Sequence, residues 1–137
     1  MIATNQHQNR GIQPRKRRKI NKYGAKKTVA DGFIFDSKAE ANYYHLLKMQ
    51  GITNFKMQEE FLLQEAFEIE GQKKQAIKYK ADFTFYKHGQ LIKVVDVKGK
   101  RTADFNIKAK MFMKRYGIPL ILAKYNYTTH TFEEKMA

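Results

Sequence analysis

Residues 77–100 decide the fold, and they read IKYKADFTFYKHGQLIKVVDVKGK. In the first part, 77–85, apolar and polar side chains alternate, which predicts a β-strand with one buried face. The last part, 91–98, is apolar except for two lysines and one aspartate, which predicts a central strand covered on both sides. A turn containing His88-Gly89 separates the two parts. The stretch therefore predicts two neighbouring strands in the interior of a sheet.

Helical patterns lie on both sides of this strand pair along the chain. One predicted helix runs from about Lys38 to Met49, with Ser37 as its N-cap. The other runs from Ala103 to Tyr116, with Thr102 as its N-cap and Gly117 just past its end. Further strands are predicted at 32–35, 55–57, 61–63 and 118–123, with a polar loop at 71–75 and an undecided segment at 131–132. This order of elements predicts an α/β domain.

The composition favours a polyanionic partner. The chain has 137 residues, with 27 Lys and Arg against 13 Asp and Glu, and a formal net charge of +14. DNA or RNA is therefore the leading partner, with an anionic membrane surface as the alternative. No apolar run approaches the roughly 18 residues that cross a bilayer, and the N-terminus lacks the apolar core of a secretory signal. We expect a cytoplasmic protein without a membrane partner.

The absence of cysteine restricts the chemistry of any site. Without a cysteine the chain has no disulfide, no thiolate zinc site and no cysteine nucleophile. The four histidines show no spacing typical of metal ligands, and we assign them no role. Any metal must therefore be held by oxygen or imidazole ligands.

The positive charge is concentrated at the N-terminus. The first 27 residues hold nine Lys or Arg and no Asp or Glu, which leaves 18 basic and 13 acidic residues for the rest. This segment has almost no apolar side chain that could support folding. We predict that residues 1–26 are a nucleic-acid-binding arm, disordered until bound, and that 27–137 form the folded domain. Its basic run is Arg15, Lys16, Arg17, Arg18 and Lys19. A nuclear localisation signal, an organellar transit peptide and a solubilising tail are the alternatives.

Three charged residues of the predicted strand pair, Asp82, Asp96 and Lys98, are candidates for a site. Asp96 and Lys98 are two residues apart on one strand, so their side chains leave the same face about 6.5 to 7 Å apart. Burying them requires a metal, a counter-charge or solvent nearby. Asp82 lies opposite Asp96 only if the strands are joined by a three-residue loop or contain a bulge. A regular two-residue His88-Gly89 turn would pair Asp82 with Val95 and put the two acids on opposite faces.

Two converging carboxylates would suit a metal-dependent phosphodiesterase. Close carboxylates repel each other unless a proton or a cation lies between them, and Mg²⁺ prefers oxygen ligands. Lys98 beside them could hold the attacking water or stabilise the negative charge that develops on a phosphate. The alternative is an ordinary ladder of charges on an exposed face, since short D-x-K matches are frequent.

Glu40 is a third acidic candidate, at the start of the first predicted helix. Ser37 and Glu40 fit a capping box, in which the glutamate binds the N-cap amide, and the spacing alone favours this role over metal binding. Lys108 on the second helix belongs either to a solvated face or to a phosphate contact. The sequence has no glycine-rich phosphate loop, so we expect no nucleotide cofactor.

The motifs resemble those of a known nuclease superfamily. Glu40, Ala81-Asp82-Phe83 and Asp96-Val97-Lys98-Gly99 resemble the motif set of the PD-(D/E)XK nucleases. The stretches GFIFDSKAEANYYHLL, IKYKADFTFY, VVDVKGKRT and FNIKAKMF also resemble, in order and spacing, small phage-encoded proteins of that superfamily that are related to Holliday junction resolvases. The resemblance covers about residues 21–124. Ala81 stands where the superfamily has its proline.

This resemblance implies a fold, a cofactor and a set of site residues. The implied fold is a restriction-endonuclease-like core, a mixed central β-sheet flanked by helices. The implied cofactor is Mg²⁺, with Mn²⁺ as a substitute, held by Asp82 and Asp96 together with Glu40 from the first helix. Lys98 would be the catalytic lysine, and Gln58 would support the site or the DNA. The predicted nucleic-acid contacts are Arg15, Lys16, Arg17, Arg18, Lys19, Lys100, Arg101 and Lys108.

We therefore predict a homodimeric, Mg²⁺-dependent endonuclease that hydrolyses DNA phosphodiester bonds. Its expected substrates are Holliday junctions or other branched DNA in phage recombination or replication, which would place it in the cytoplasm of a bacterial host. A non-catalytic DNA-binding accessory factor is the first alternative, although such a factor has no need to hold several acids against a polyanion. An RNA nuclease is the second, since no residue identified here distinguishes RNA from DNA.

Overall fold

A computed structural model describes residues 26–137, in which two helices pack against a five-stranded sheet. The predicted arm, including the basic run 15–19, lies outside the described residues except for Lys26. The elements are β1 (Thr28–Ala30), β2 (Phe33–Phe35), α1 (Lys38–Met49), β3 (Phe55–Gln64), β4 (Phe67–Ile69), β5 (Gln72–Lys74), β6 (Ile77–Lys87), β7 (Gln90–Val97), α2 (Ala103–Tyr116), β8 (Leu120–Asn126) and β9 (Thr131–Met136).

The large sheet is mixed. Its strand order is β3-β6-β7-β8-β9, in which β7 and β8 are parallel and the other neighbours are antiparallel. Helix α2 makes the crossover that a parallel pair requires. The hairpins β1-β2 and β4-β5 form two separate two-stranded sheets. The predicted α/β class, with a mixed central sheet flanked by helices, is confirmed, and the arrangement is consistent with a restriction-endonuclease-like core.

Both helices begin and end where their local sequence predicts. Ser37 Oγ accepts a hydrogen bond from the amide of Glu40 at 3.1 Å, and Thr102 Oγ1 accepts one from the amide of Phe105 at 3.1 Å. Helix α2 ends at Gly117, which has a left-handed φ of 66°. Both predicted helix ranges are confirmed, because capping depends on residues that are close in sequence.

Each face of the sheet carries its own apolar core. The α1 core contains Phe35, Ala41, Tyr43, Tyr44, Leu47, Phe83, Phe85, Val95, Val97 and Ala123. The α2 core contains Leu63, Tyr79, Ala81, Val94, Phe105, Ala109, Phe112, Leu120 and Leu122. Adjacent residues of β7, Val94 and Val95, divide between the two cores, which confirms that this strand is covered on both sides.

Strand β6 changes the face on which it buries its side chains. Its sequence alternation predicts one buried face, but Tyr79 and Ala81 pack in the α2 core, whereas Phe83 and Phe85 pack in the α1 core. The prediction of a single buried face is therefore wrong. Asp82 lies at the point where the strand changes sides.

The neighbouring strand β3 makes the same change. Met57 packs against the α1 core and Phe61 against the α2 core, although both have odd numbers. Between them Gln58 has a φ of 58°, in the left-handed region. Strict alternation requires an uninterrupted extended backbone, and Gln58 interrupts it. The two strands stay paired across this point, with Met57 opposite Phe83.

Several strand limits differ from the sequence prediction. The two runs 55–57 and 61–63 belong to one strand, and the predicted loop 71–75 contains β5 of a hairpin. That hairpin turns at Glu70 and Gly71, both with positive φ, as a two-residue hairpin turn requires. A solvent-exposed polar hairpin has the same composition as a loop, so the sequence pattern does not distinguish a hairpin from a loop. The segment at 131–132 begins the edge strand β9.

Within residues 26–137, no helix is long and apolar enough to cross a membrane.

Candidate active site

The β6–β7 hairpin brings the two aspartates together. Its turn is the two-residue His88-Gly89 form, but a bulge beyond the turn inserts one extra residue into β7. After the bulge Phe83 pairs with Val95. Continuing that register places Asp82 opposite Asp96. Of the two predicted possibilities, a three-residue loop or a bulge, the bulge is present, and it puts both acids on one side of the strand pair.

Hydrogen bonds hold both aspartates in place. Asp82 Oδ2 accepts a hydrogen bond from the amide of Val97 at 2.8 Å. Asp96 is only 4% exposed, and its Oδ2 accepts a hydrogen bond from the hydroxyl of Tyr79 at 2.7 Å. Its other oxygen, Oδ1, lies 3.4 Å from Nζ of Lys98. Each aspartate thus has a defined orientation.

Glu40 reaches the same place from α1. Its side chain is buried, and Oε1 accepts hydrogen bonds from Nε2 of Gln58 at 3.2 Å and from the amide of Asp36 at 3.3 Å. It therefore does close the start of the helix, but through the amide preceding Ser37 rather than that of Ser37 itself. Its carboxyl group is also a close neighbour of that of Asp82, and each affects the pKa of the other. The capping role and the site role are combined in one residue.

The surroundings of Asp82 and Glu40 favour the protonated forms of both side chains. Burial raises the pKa of Asp82 well above its usual value, and the nearby charges of Asp96 and Glu40 raise it further. The amide of Val97 acts in the opposite direction. Burial is also the main cause that raises the pKa of Glu40. Two charged carboxyl groups side by side repel each other, so the neutral, protonated form of these acids is favoured.

Lys98 connects the acids to an open cavity. Its Nζ lies 4.7 Å from the centroid of the Phe105 ring, and 29% of its side chain is exposed. The cavity has a volume of about 620 Å³. We call it the basic cavity, because its lining includes five cationic side chains, Lys98, Lys100, Arg101, Lys124 and Lys135, beside Glu133 and Glu134. Lys98 lines this cavity, whereas Glu40, Asp82 and Asp96 do not. A phosphate that enters the cavity would therefore meet Lys98 before it meets the acids.

The ligand atoms of this cluster are of the kind that a hard divalent cation binds. All the ligand atoms that the cluster offers are carboxylate oxygens, which Mg²⁺ and Mn²⁺ prefer. Among residues 26–137, no three acidic or histidine side chains have their oxygens or nitrogens directed at one common centre. A cation bound here would compete with the protons that the raised pKa values of Glu40 and Asp82 favour.

The predicted site residues fall into four groups. Glu40, Asp82, Asp96 and Lys98 come together. Lys100 and Arg101 line the basic cavity. Lys108 lies on α2, where its Nζ is 3.8 Å from a carboxylate oxygen of Asp104, one helical turn earlier. Arg15, Lys16, Arg17, Arg18 and Lys19 lie outside the described residues.

Sequence reasoning missed Tyr79. Tyr79 has one of the odd-numbered positions of β6, which the alternating pattern assigns to the apolar core, and it is buried as such a residue would be. A buried phenol needs a partner for its hydroxyl, and here the partner is Asp96. The only signal in the sequence was a tyrosine where phenylalanine would pack equally well.

The chain belongs to a family described as "Protein of unknown function (DUF1064)", whose model matches residues 20–128. No curated protein gives a significant match. A solved structure, described as "Crystal structure of SSO0001", is similar with a TM-score of 0.42 and 16% sequence identity over 71% of this chain. The match covers 46% of that chain, so the present chain spans less than half its length.

Proposed function

We propose that this chain is a metal-dependent endonuclease that hydrolyses phosphodiester bonds in DNA, with Glu40, Asp82, Asp96 and Lys98 as its active site. The observation that carries the proposal is that Glu40, Asp82 and Asp96 are neighbours held by hydrogen bonds, and that Lys98 links Asp96 to the lining of a basic cavity. Buried acids next to a surface that attracts polyanions cost stability and weaken binding. A catalytic use of the acids explains why they are there.

Each side chain has a place in such a reaction. Asp82 and Asp96, with Glu40, would hold Mg²⁺ or Mn²⁺, which when bound would polarise the phosphate and lower the pKa of a coordinated water. Lys98, half-buried against Phe105, would orient the attacking water or stabilise charge on the phosphate oxygens. Tyr79 would keep Asp96 in its orientation. The cations of the basic cavity would bind the neighbouring phosphates.

The resemblance to Holliday junction resolvases supports a branched DNA substrate. A homodimer would supply the two active sites needed to cut a four-way junction symmetrically, and such an enzyme would act in phage recombination or replication inside the bacterial host. A non-catalytic DNA-binding factor and an RNA nuclease remain the competing functions.

A cleavage panel tests the proposal. The purified full chain is incubated with four-way, flap, duplex and single-stranded DNA and with RNA, each with Mg²⁺, Mn²⁺, Ca²⁺ or a chelator. We expect branched DNA to be cut with Mg²⁺ or Mn²⁺, and bound but not cut with Ca²⁺. Asp96→Asn should abolish cutting and retain binding. Glu68→Gln removes one exposed acid on β4 and should cut like the parent.

Three results would contradict the proposal. Cleavage that survives Asp96→Asn would remove the site assignment. DNA binding that is indifferent to every ion, with no cleavage, would favour the accessory factor. Preferential cutting of RNA would favour the RNA nuclease.

A further inference from the structure

A second cavity lies near the carboxylate cluster formed by Glu40, Asp82 and Asp96. It has a volume of about 560 Å³, and its lining includes three lysines, Lys26, Lys27 and Lys38, and two tyrosines, Tyr125 and Tyr127. We call it the tyrosine cavity. Its size is within the usual range for pockets that hold one small ligand.

The tyrosine cavity is adjacent to the proposed catalytic residues. Its lining includes Val97 and Gly99, the two neighbours of Lys98 in sequence. The amide of Val97 also binds Asp82. Gly99 lines the basic cavity as well, so the two cavities share a lining residue next to Lys98. This proximity follows from the parallel pairing of β7 and β8, whose C-terminal ends lie at one edge of the sheet.

The two tyrosines form an aromatic surface with one fixed ring and one exposed ring. Tyr125 is held by a 3.1 Å contact between its hydroxyl and Nδ1 of His130 and by Phe132, whose ring centroid is 4.8 Å away. The Tyr127 ring packs edge-to-face on Tyr125 at 4.7 Å and is 62% exposed. Tyr127 therefore contacts Tyr125 and still exposes more than half of its surface to a ligand.

The charged part of the lining suits a phosphate. The only ion pair that the described part of the chain shows for these three lysines is that of Lys27 with Asp36, at 3.0 Å, and both partners are more than half exposed. Exposed pairs of this kind exchange readily with other anions. Lysines that surround an aromatic surface are the usual composition of sites for single-stranded nucleic acid, where bases stack on the rings and the phosphates meet the cations.

We propose that the tyrosine cavity binds one unpaired nucleotide of a nucleic-acid strand, with its base stacked on Tyr127 and its phosphate against the lysines. The position of this nucleotide next to the scissile bond rests on the proposed nuclease function, whereas the binding of an unpaired base does not. A paired base has its faces covered by its neighbours and must leave the stack to enter, which costs free energy. The preferred substrate is therefore DNA with an unpaired nucleotide beside the cutting site, as at a branch point.

A binding experiment with 2-aminopurine tests this proposal. The full chain is titrated in chelator, where no metal-dependent cutting occurs, with two duplexes of the same length. One contains a single bulged 2-aminopurine and the other has it paired. We expect the parent to quench the bulged base and to bind the bulged duplex more tightly. Tyr127→Ala should weaken binding of the bulged duplex by about 5- to 100-fold and leave the paired duplex almost unchanged.

Two further variants separate stacking from general damage. Tyr127→Phe keeps the ring and should retain the preference within about twofold, since stacking does not need the hydroxyl. Phe67→Ala removes another exposed aromatic ring, 48% exposed on β4, and should bind both duplexes like the parent. Thermal unfolding of each variant confirms that the fold is retained.

The inference is overturned if Tyr127→Ala keeps the preference for the bulged duplex, or if Phe67→Ala loses it equally. It is also overturned if free deoxyadenosine monophosphate displaces the bulged duplex at equal concentration, because the site would then serve a mononucleotide. Binding that depends on Tyr127, without any cleavage, would contradict the nuclease proposal but not the present inference. Cleavage of branched DNA without this preference would remove only the present inference.

Discussion

The hydroxyl of Tyr79 donates a 2.7 Å hydrogen bond to Oδ2 of Asp96, from one strand to the next across the centre of the sheet. The other oxygen of Asp96 lies near Lys98, so the carboxylate is held from two sides. This pair links the α2 core, to which the Tyr79 ring belongs, with the proposed catalytic centre.

Tyr79→Phe should weaken catalysis without disturbing the core. The ring is kept, so the free energy of unfolding should change by only about 1 kcal/mol. Loss of the partner that orients a metal ligand should lower cleavage by about 10- to 100-fold and raise the Mg²⁺ concentration needed for half-maximal rate. Tyr116→Phe is the matched control, because its hydroxyl donates to the carbonyl of Leu62 outside the site. An unchanged Mg²⁺ requirement in Tyr79→Phe would contradict the positioning role.

Asp82→Asn should give an inactive but more stable protein at neutral pH. Asparagine can accept the hydrogen bond from Val97 and donate one to Glu40 without carrying a charge. In the parent, burial and the neighbouring acids raise the pKa of Asp82 above the unperturbed 3.8. The stability associated with the protonated acid is therefore complete below that value and is lost as the pH rises through the folded-state pKa.

Urea unfolding in chelator between pH 4 and 8 measures this effect. The difference in free energy of unfolding between Asp82→Asn and the parent should grow as the pH rises. Glu68→Gln, which removes an exposed acid, should follow the parent at every pH. A difference that stays constant across the range would mean that the raised pKa of Asp82 is not what limits stability.

Mg²⁺ should stabilise the protein more at high pH than at low pH. The raised pKa values of Asp82 and Glu40 favour their protonated forms, whereas a cation binds the charged forms, so its binding releases protons and competes with acid. The increase in Tm produced by Mg²⁺ should be larger at pH 8 than at pH 5.5 and absent in Asp82→Asn. Equal shifts at both pH values, or in both proteins, would argue against a metal at this cluster.

Gly117→Ala should destabilise the fold by about 1 kcal/mol through backbone strain alone. Gly117 has a φ of 66° at the end of α2, and no heavy atom lies within 4 Å of the position that a Cβ would take. Gly99→Ala is a suitable comparison, because that position is equally open but does not have a positive φ. Urea unfolding should show the loss for Gly117→Ala only, and a similar loss in both would show that strain is not its cause.

The elements that sequence analysis predicted correctly depend on short stretches of chain. Ser37 and Thr102 cap the helices that follow them, and Gly117 ends α2, because each acts on residues three or four positions away. The role of Tyr79 depends on a contact between two strands, to Asp96, and that of Gln58 on a contact from a strand to Glu40 on α1. No local pattern predicts either contact, and only the family resemblance pointed to Gln58.

The sequence by itself determined the helices, the central strands and the residues that carry the proposed chemistry. The reason is that periodicity, capping and motif spacing depend on residues that are close in sequence. Only the tertiary structure decided that these residues meet. The bulge in β7 sets Asp82 opposite Asp96, and the left-handed Gln58 lies where β3 and β6 change sides, next to Glu40. Both depend on which strands pair and in what register, and that choice is made by the packing of two cores formed from distant parts of the chain.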